Sequence, residues 1–341
     1  MVIRVKERIG FLGSAIHRGT ILDASESGFD AGGAGFASVF CDHENPETTY
    51  LFYTGGADTS LSRAGIGLAV SSKDLGFRKL TDLNPILEYD EHNGRAMTPA
   101  VFRVRNYFYM VYARNLPQEG RLLIAYASDP KGPWRDIQEV ARPEDSWEER
   151  HIDIGPTIVE LAEDEVLVYY SNLPRTLRAT LLYRYLFAPK YPLRRIGIVR
   201  IKIRSPSNLE ICKFERNPLR HLNGPKGGWN ESLFCPGYLR WDDVHCLLPA
   251  TSTYSVGFPY RQYIGLTTDS SPYFQRPESM RILIDGPKEK DQILPGIRGE
   301  IALDTPSPLV KGDELYLYYA AMDRDNGVWR TALTVFPLLS D

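Results

Sequence analysis

This chain is poor in the residues and patterns that most often announce a chemistry. Only four cysteines occur, Cys41, Cys212, Cys235 and Cys246, and none shares the CxxC spacing of a zinc or redox motif. That argues for thiols packed as small apolar side chains rather than for a metal-thiolate site. No segment approaches the roughly 20 apolar residues needed to cross a bilayer. The first residues, MVIRVKERIGFLG, lack the continuous apolar stretch of a secretory signal, so the expected location is cytoplasmic. An excess of either charge is also missing. The 40 Lys and Arg stand against 43 Asp and Glu, a net charge of −3, which gives neither nucleic acid nor a membrane a reason to bind. No long stretch sustains a 3.6-residue apolar period, so helices should be few or absent. No cofactor is expected.

What the chain has is tyrosine, glycine and proline: 20, 28 and 24 of them, in a sequence that is 43% hydrophobic. That mixture suggests many short strands joined by tight turns. One pattern recurs. A short apolar strand, often preceded by Pro, leads to an aromatic-rich strand and then to a strand ending in small polar residues. The copies begin at GFASVF (35–40), TPAVFRV (98–104), GPTIVEL (155–161), PGYLRWD (236–242) and TPSPLVKG (305–312). Their second strands are TYLFYTGG, YFYMVYARN, EVLVYYSN, VHCLLPATS and ELYLYYAAMD. Five copies at spacings of roughly 57 to 80 residues fit sheets of three or four strands packed radially. The expected fold is therefore all-β, a five-bladed β-propeller in one domain over residues 1–341. A two-sheet sandwich is the alternative. Short fourth strands follow as FRKL and WRDI, but the fifth copy runs out of chain before its own. An N-terminal segment, VIRVKERI (2–9), should supply it and close the ring.

At IAYASDPKGPWRD (124–136) the chain resembles the five-bladed glycoside hydrolases of family 43, where a strand ends in Ser-Asp before a Gly-Pro-aromatic turn. HIDIGPTIVE is similar to that family's third-blade Ile-Asp-Pro segment, and NESLFCPGYL to its Glu-bearing fourth-blade start. The first copy, FDAGGAGFASVF, more resembles the related family 32-like propellers. These families place one acid on each of three inner strands, facing a central funnel. Carried onto this sequence, the resemblance implies Asp30 as the base that activates water, Asp153 as the modulator and orienter of the acid, and Glu231 as the general acid. The expected activity is hydrolysis of a glycosidic bond. Carboxyl groups about 6.5–9.5 Å apart would invert the anomeric centre and groups about 5–5.5 Å apart would retain it; inversion is expected. The fifth blade offers RGEIALDTPSP instead of the family's His-containing start, so no metal is expected.

Each acid has a plainer reading: Asp30 could shape a turn after SESGF, and Glu231 could be a loop acid. Glu300 and Asp304 are further acids of the fifth blade, either able to replace an assigned member. Around them, Arg95, His151, Arg298 and Glu300 could contact substrate hydroxyls or an anionic group, and Trp229 could stack on a sugar ring. Between Pro174 and Gly228 stand 13 Lys or Arg and 2 acidic residues. This basic insertion around 174–228 fits a solvated hairpin, recognition of an anionic substrate group, or a homo-oligomer contact. Phosphorolysis or glycosyl transfer, and a non-catalytic carbohydrate-binding propeller, are the competing functions.

Overall fold

A computed structural model describes residues 12–71, 76–116, 119–148, 151–172, 194–252, 262–285, 302–322 and 326–338. β1 (Ile16–Leu22) precedes the first blade. Blade I holds β2 (Gly33–Asp42), β3 (Asn45–Gly56), β4 (Gly65–Ser71) and β5 (Arg78–Lys79). Blade II holds β6 (Arg95–Val104), β7 (Tyr107–Asn115), β8 (Gly120–Ala127) and β9 (Arg135–Ala141). Blade III holds β10 (Ile152–Ala162), β11 (Glu165–Asn172), β12 (Ile196–Ser205) and β13 (Asn208–Lys213). Blade IV holds β14 (Ser232–Trp241), β15 (Val244–Ser252), β16 (Gln262–Asp269) and β17 (Arg281–Asp285). Blade V holds β18 (Ala302–Lys311), β19 (Glu314–Met322) and β20 (Trp329–Pro337). The inner strands β2, β6, β10, β14 and β18 pack each against the next, and β18 packs against β2. The fold is an all-β propeller of five blades.

Blade V takes its fourth strand from the start of the chain, as expected, but from β1, which pairs antiparallel with β20. The segment 2–9, named for that role from sequence, lies outside the described residues. One helical turn occurs among the described residues, a 3-10 turn over Arg220–Leu222. Of the basic stretch 174–228, residues 196–213 form β12 and β13 of blade III, while 174–193 lies outside the described residues. No helix among the described residues is long and apolar enough to cross a membrane.

Aromatic and β-branched side chains suit a pleated surface that is covered on both sides. The middle strands accordingly read as nearly continuous burial: β7 and β11 each have a single partly exposed residue, at the first position. The outer strand β13 alternates instead. One apolar core fills each gap between blades. Phe52, Met110 and Tyr112 join blades I and II; Tyr109, Val168 and Tyr170 join II and III; Leu167, Tyr169 and Leu247 join III and IV. Leu248, Leu317 and Tyr319 join IV and V, and Tyr53, Leu51 and Tyr318 join V and I. Each such ring or aliphatic chain contributes about 1.5–3 kcal/mol through burial.

Every inner strand carries a break in register at the same place. It falls between Gly35 and Ser38, Met97 and Ala100, Ile154 and Ile158, Phe234 and Gly237, and Asp304 and Ser307. In four blades a residue at the break takes a left-handed backbone: Phe36 (φ 51), Thr98 (φ 49), Cys235 (φ 41) and Thr305 (φ 50). Non-glycine residues seldom hold that conformation, and where they do a site is often nearby. Proline follows the break residue in blades II, IV and V. Pairing resumes ahead of the break, so the inner strands begin a few residues before the prolines that seemed, from sequence, to open them. Asp153 and Asp304 are thereby strand residues, paired with Ser171 and Ala320.

Candidate active site

The bulges converge on the axis. Thr98 of blade II donates its hydroxyl to Asp153 Oδ1 of blade III at 2.6 Å, and its own N–H donates to Thr54 Oγ1 of blade I at 2.9 Å. Cys235 N–H of blade IV reaches Ser171 Oγ of blade III at 3.4 Å. In blade V, Asp304 Oδ1 accepts from the Thr305 N–H at 2.7 Å and from its hydroxyl at 3.0 Å. Asp153 and Asp304 are both buried, with 7% and 8% of their surface exposed. Asp304 lies in the field of the Arg194 guanidinium, which is 4.2 Å from the centre of the Phe234 ring.

Burial raises the Asp304 pKa; Arg194 opposes the rise, the Asp153 charge adds to it, and the Thr305 donors and the nearby Cys235 oppose it. The Cys235 thiol is pushed up by burial and then by the charges of Asp304 and Asp153. Two carboxyl groups whose surroundings differ, one raised by burial and one accepting from a hydroxyl, can hold their protons unequally. On the inner strand of blade I, Phe36 packs on Trp329, ring centres 4.4 Å apart, in one apolar cluster with Met97 and Leu61.

Asp30, expected as the base, is placed elsewhere. Its Oδ2 lies 2.6 Å from Lys79 Nζ on the fourth strand of blade I and accepts from the Tyr53 hydroxyl on the second at 2.9 Å. Asn84 Nδ2 donates to the same Tyr53 oxygen at 3.2 Å and also to the Leu68 carbonyl, while Asn84 Oδ1 receives the Leu68 N–H. Blade III repeats this group by group. Glu148 accepts from the Tyr170 hydroxyl and lies 2.9 Å from Lys213 Nζ. Asn217 donates to Tyr170 at 3.3 Å and clasps Ile198 in the same two-bond manner.

The packing repeats as well. Phe29 lies against Tyr53 and Trp147 against Tyr170, with centroids 5.9 and 5.5 Å apart. Glycine stands where each tyrosine ring crosses the third strand. A Cβ on Gly67 would meet Tyr53 Cζ at 2.5 Å, and one on Gly197 would meet Tyr170 Cζ at 2.8 Å. Glu148 is fully buried within a blade, and Asp30 is its counterpart. Both acids are blade pins that satisfy buried cations and phenols.

The other expected residues spread around the mouth. Glu231, directly ahead of β14, is buried and accepts the Gly227 N–H at 2.9 Å. Trp229 is half-buried and packs edge-on to Tyr263, 5.7 Å between centroids. His151 donates from Nε2 to the Leu116 carbonyl of blade II at 3.1 Å, so that nitrogen links two blades. Arg95 heads β6, half-buried. Arg298 and Glu300 lie outside the described residues. Among the described residues no group of three or more His, Cys, Asp or Glu is arranged to hold a metal ion.

Solved structures of glycoside hydrolases superpose over nearly the whole chain. One described as a glycoside hydrolase aligns with a TM-score of 0.68 at 12% identity, covering 98% of this chain and 95% of that one. The Cellvibrio cellulosa α-L-arabinanase gives 0.54 at 14% identity, covering 91% and 93%. The chain has the glycoside hydrolase propeller fold. A third structure comes from work on family 130, whose mannoside phosphorylases include hydrolases of β-1,2-mannosidic linkages in Candida mannan; it gives 0.65 at 13% identity, covering 95% and 94%. No family model matches the sequence, and no curated protein matches it.

Within this fold Thr98, Cys235 and Arg194 were not picked out from sequence, and Asp304 was seen only as a competing acid. The signal for three of them was present. Counting back from Pro99, Pro236 and Pro306 puts Thr98, Cys235 and Thr305 at one position, with Asp304 immediately before it.

Proposed function

We propose that this protein is a glycoside-processing enzyme that hydrolyses a glycosidic bond in the central funnel. Asp304 acts as the proton donor and Asp153 as the ionised carboxylate. The observation that carries the reading is the meeting of these two acids from blades III and V, one with its proton held above the ordinary carboxylate range. In the reaction Asp304 gives its proton to the leaving glycosidic oxygen as the bond to the anomeric carbon breaks. Asp153 takes a proton from the water that forms the new bond there, on the opposite face, so the expected outcome is inversion. Glu231 remains in the proposal as a third acid at the mouth, and the Phe36–Trp329 pair offers an apolar face to a sugar ring. The glycoside hydrolase names of the superposed structures support the substrate class.

A second reading, a carbohydrate-binding propeller without turnover, is favoured by one observation. Gly155 stands immediately before Pro156 and Phe234 two residues before Pro236, where the Ile-Asp-Pro and Glu-Gly-Pro patterns of family 43 would place acids. A panel of aryl glycosides separates the two readings. Turnover by the wild type that is lost in Asp304→Asn and Asp153→Asn, both still folded, supports hydrolysis. Affinity with no turnover on any member supports the binder.

A further inference from the structure

On the blade III and IV side of the mouth, positive charge accumulates that the reaction above does not use. Asn223 ties it together. Its Nδ2 donates to the main-chain oxygens of Arg194 at 3.1 Å and Glu231 at 2.8 Å, and its N–H donates to the Arg220 carbonyl at 3.2 Å. The start of β12, the 3-10 turn and the start of β14 thus form one patch. Arg194 is fixed further by the Leu233 N–H, which donates to its carbonyl at 3.1 Å. Arg195, its neighbour, is half-buried, and burial and then the like charge of Arg220 lower its pKa.

Neither Arg195 nor Arg220 has a carboxylate partner among the described residues. By contrast, Arg200 and Arg204 farther along β12 pair with Glu165 and Glu210. The half-buried Arg195 guanidinium lies in the field of the exposed Arg220, and an oxyanion between the two like charges offsets their repulsion. Planar guanidinium forks match carboxylate, sulfate and phosphate oxygens in pairs.

We propose that Arg195 and Arg220, backed by Arg194, form an anion-binding rim at the mouth of the funnel. It receives either an anionic group carried by the glycoside or inorganic phosphate. The inference rests on the glycoside-processing reading and gives that site a substrate class. With phosphate, an oxygen of the anion forms the new bond to the anomeric carbon, Asp304 protonates the leaving oxygen, and a glycosyl phosphate is released. With an anionic sugar, water attacks and the rim only binds.

The test is titration calorimetry with inorganic phosphate, sulfate, methyl glucuronide and methyl glucoside. Turnover of neutral and uronate aryl glycosides is followed alongside, with and without phosphate. The wild type should prefer at least one anionic probe over methyl glucoside by about tenfold or more at low salt. The double variant Arg195→Gln, Arg220→Gln should lose most of that preference. Arg216→Gln, an exposed arginine on the outer side of blade III, should keep it. Phosphate-dependent release of glycosyl phosphate assigns the rim to free phosphate; phosphate-independent preference for the uronide or sulfate assigns it to the substrate.

Equal binding of anionic and neutral probes by the wild type, or an unchanged preference in the double variant, overturns the rim. If the double variant does not fold, a wild-type preference that persists undiminished from about 0.05 to about 0.5 M salt overturns it instead. The two readings fail separately. Anion binding that needs the arginines, without turnover of any glycoside, keeps the rim and removes the hydrolase. Turnover of neutral glycosides without anion preference does the reverse.

Discussion

Replacing Asp30 by Asn separates a structural acid from a catalytic one. The new amide oxygen can still accept from Tyr53, but the change strips the anion from Lys79, whose side chain is only 16% exposed. Removing one partner of a buried pair costs about 3–5 kcal/mol, and the partial exposure of Lys79 puts the expected loss near the lower end, about 3 kcal/mol. For a chain of 341 residues that lowers the melting temperature by roughly 4 °C. Glu148→Gln should act in the same direction, since its acid plays the same part in blade III. Adding Lys79→Met to Asp30→Asn should recover much of the loss, because removing both charges leaves nothing unpaired. Thermal unfolding by circular dichroism reads the stability, and turnover of the folded protein well below the transition reads the chemistry. The reasoning fails if Asp30→Asn melts within about 1 °C of the wild type while turnover disappears.

Other perturbations address the funnel. Asp304→Asn and Asp153→Asn should each lower kcat by about 10²-fold or more without changing the far-ultraviolet spectrum. The pH dependence follows from the raised Asp304 pKa. The folded protein binds this proton more tightly than the unfolded chain, so its contribution to stability is greatest below the ordinary carboxylate pKa and falls as pH rises through the raised one. Denaturant titrations across that window should show a downward slope that Asp304→Asn flattens, and kcat/KM should fall along the same limb. Thr98→Val removes the hydroxyl donor to Asp153 and should move the acidic limb of the rate profile to higher pH. Burial raises the thiols of Cys235 and Cys246, the latter to about 12. Alkylation read by mass spectrometry should therefore mark exposed Cys212 first and spare both until the chain unfolds.

The architecture was legible because each blade repeats a pattern that the sequence reveals: an apolar second strand, tyrosine-bearing in four of the five, that is buried almost throughout. Ring closure by an N-terminal strand followed from the missing fourth strand of the fifth copy. Its position, Ile16–Leu22, was hidden because HRGTIL carries little of the apolar pattern of the other strands. The proposed site was only partly legible. Asp153 was visible as a carboxylate beside a strand that had to be buried. Asp30 met the same criterion for a different reason, since a buried acid in sequence looks alike whether it faces an axis or a lysine. What distinguishes it is the recurrence of Lys79 with Asn84-Pro85 and of Lys213 with Asn217-Pro218, a repeat that marks both acids as pins. Arg194 gave no local signal, because its role depends on a contact with Phe234, forty residues away in sequence.

The most direct measurement is the rate of aryl glycoside cleavage as a function of pH for the wild type, Asp304→Asn, Asp153→Asn and Asp30→Asn, each verified as folded at the assay temperature. The funnel reading predicts cleavage by the wild type that declines on the alkaline side, loss of rate in both funnel variants, and near-normal rate per folded molecule in Asp30→Asn. Cleavage that survives loss of Asp153 and Asp304 but vanishes with Asp30 would contradict it.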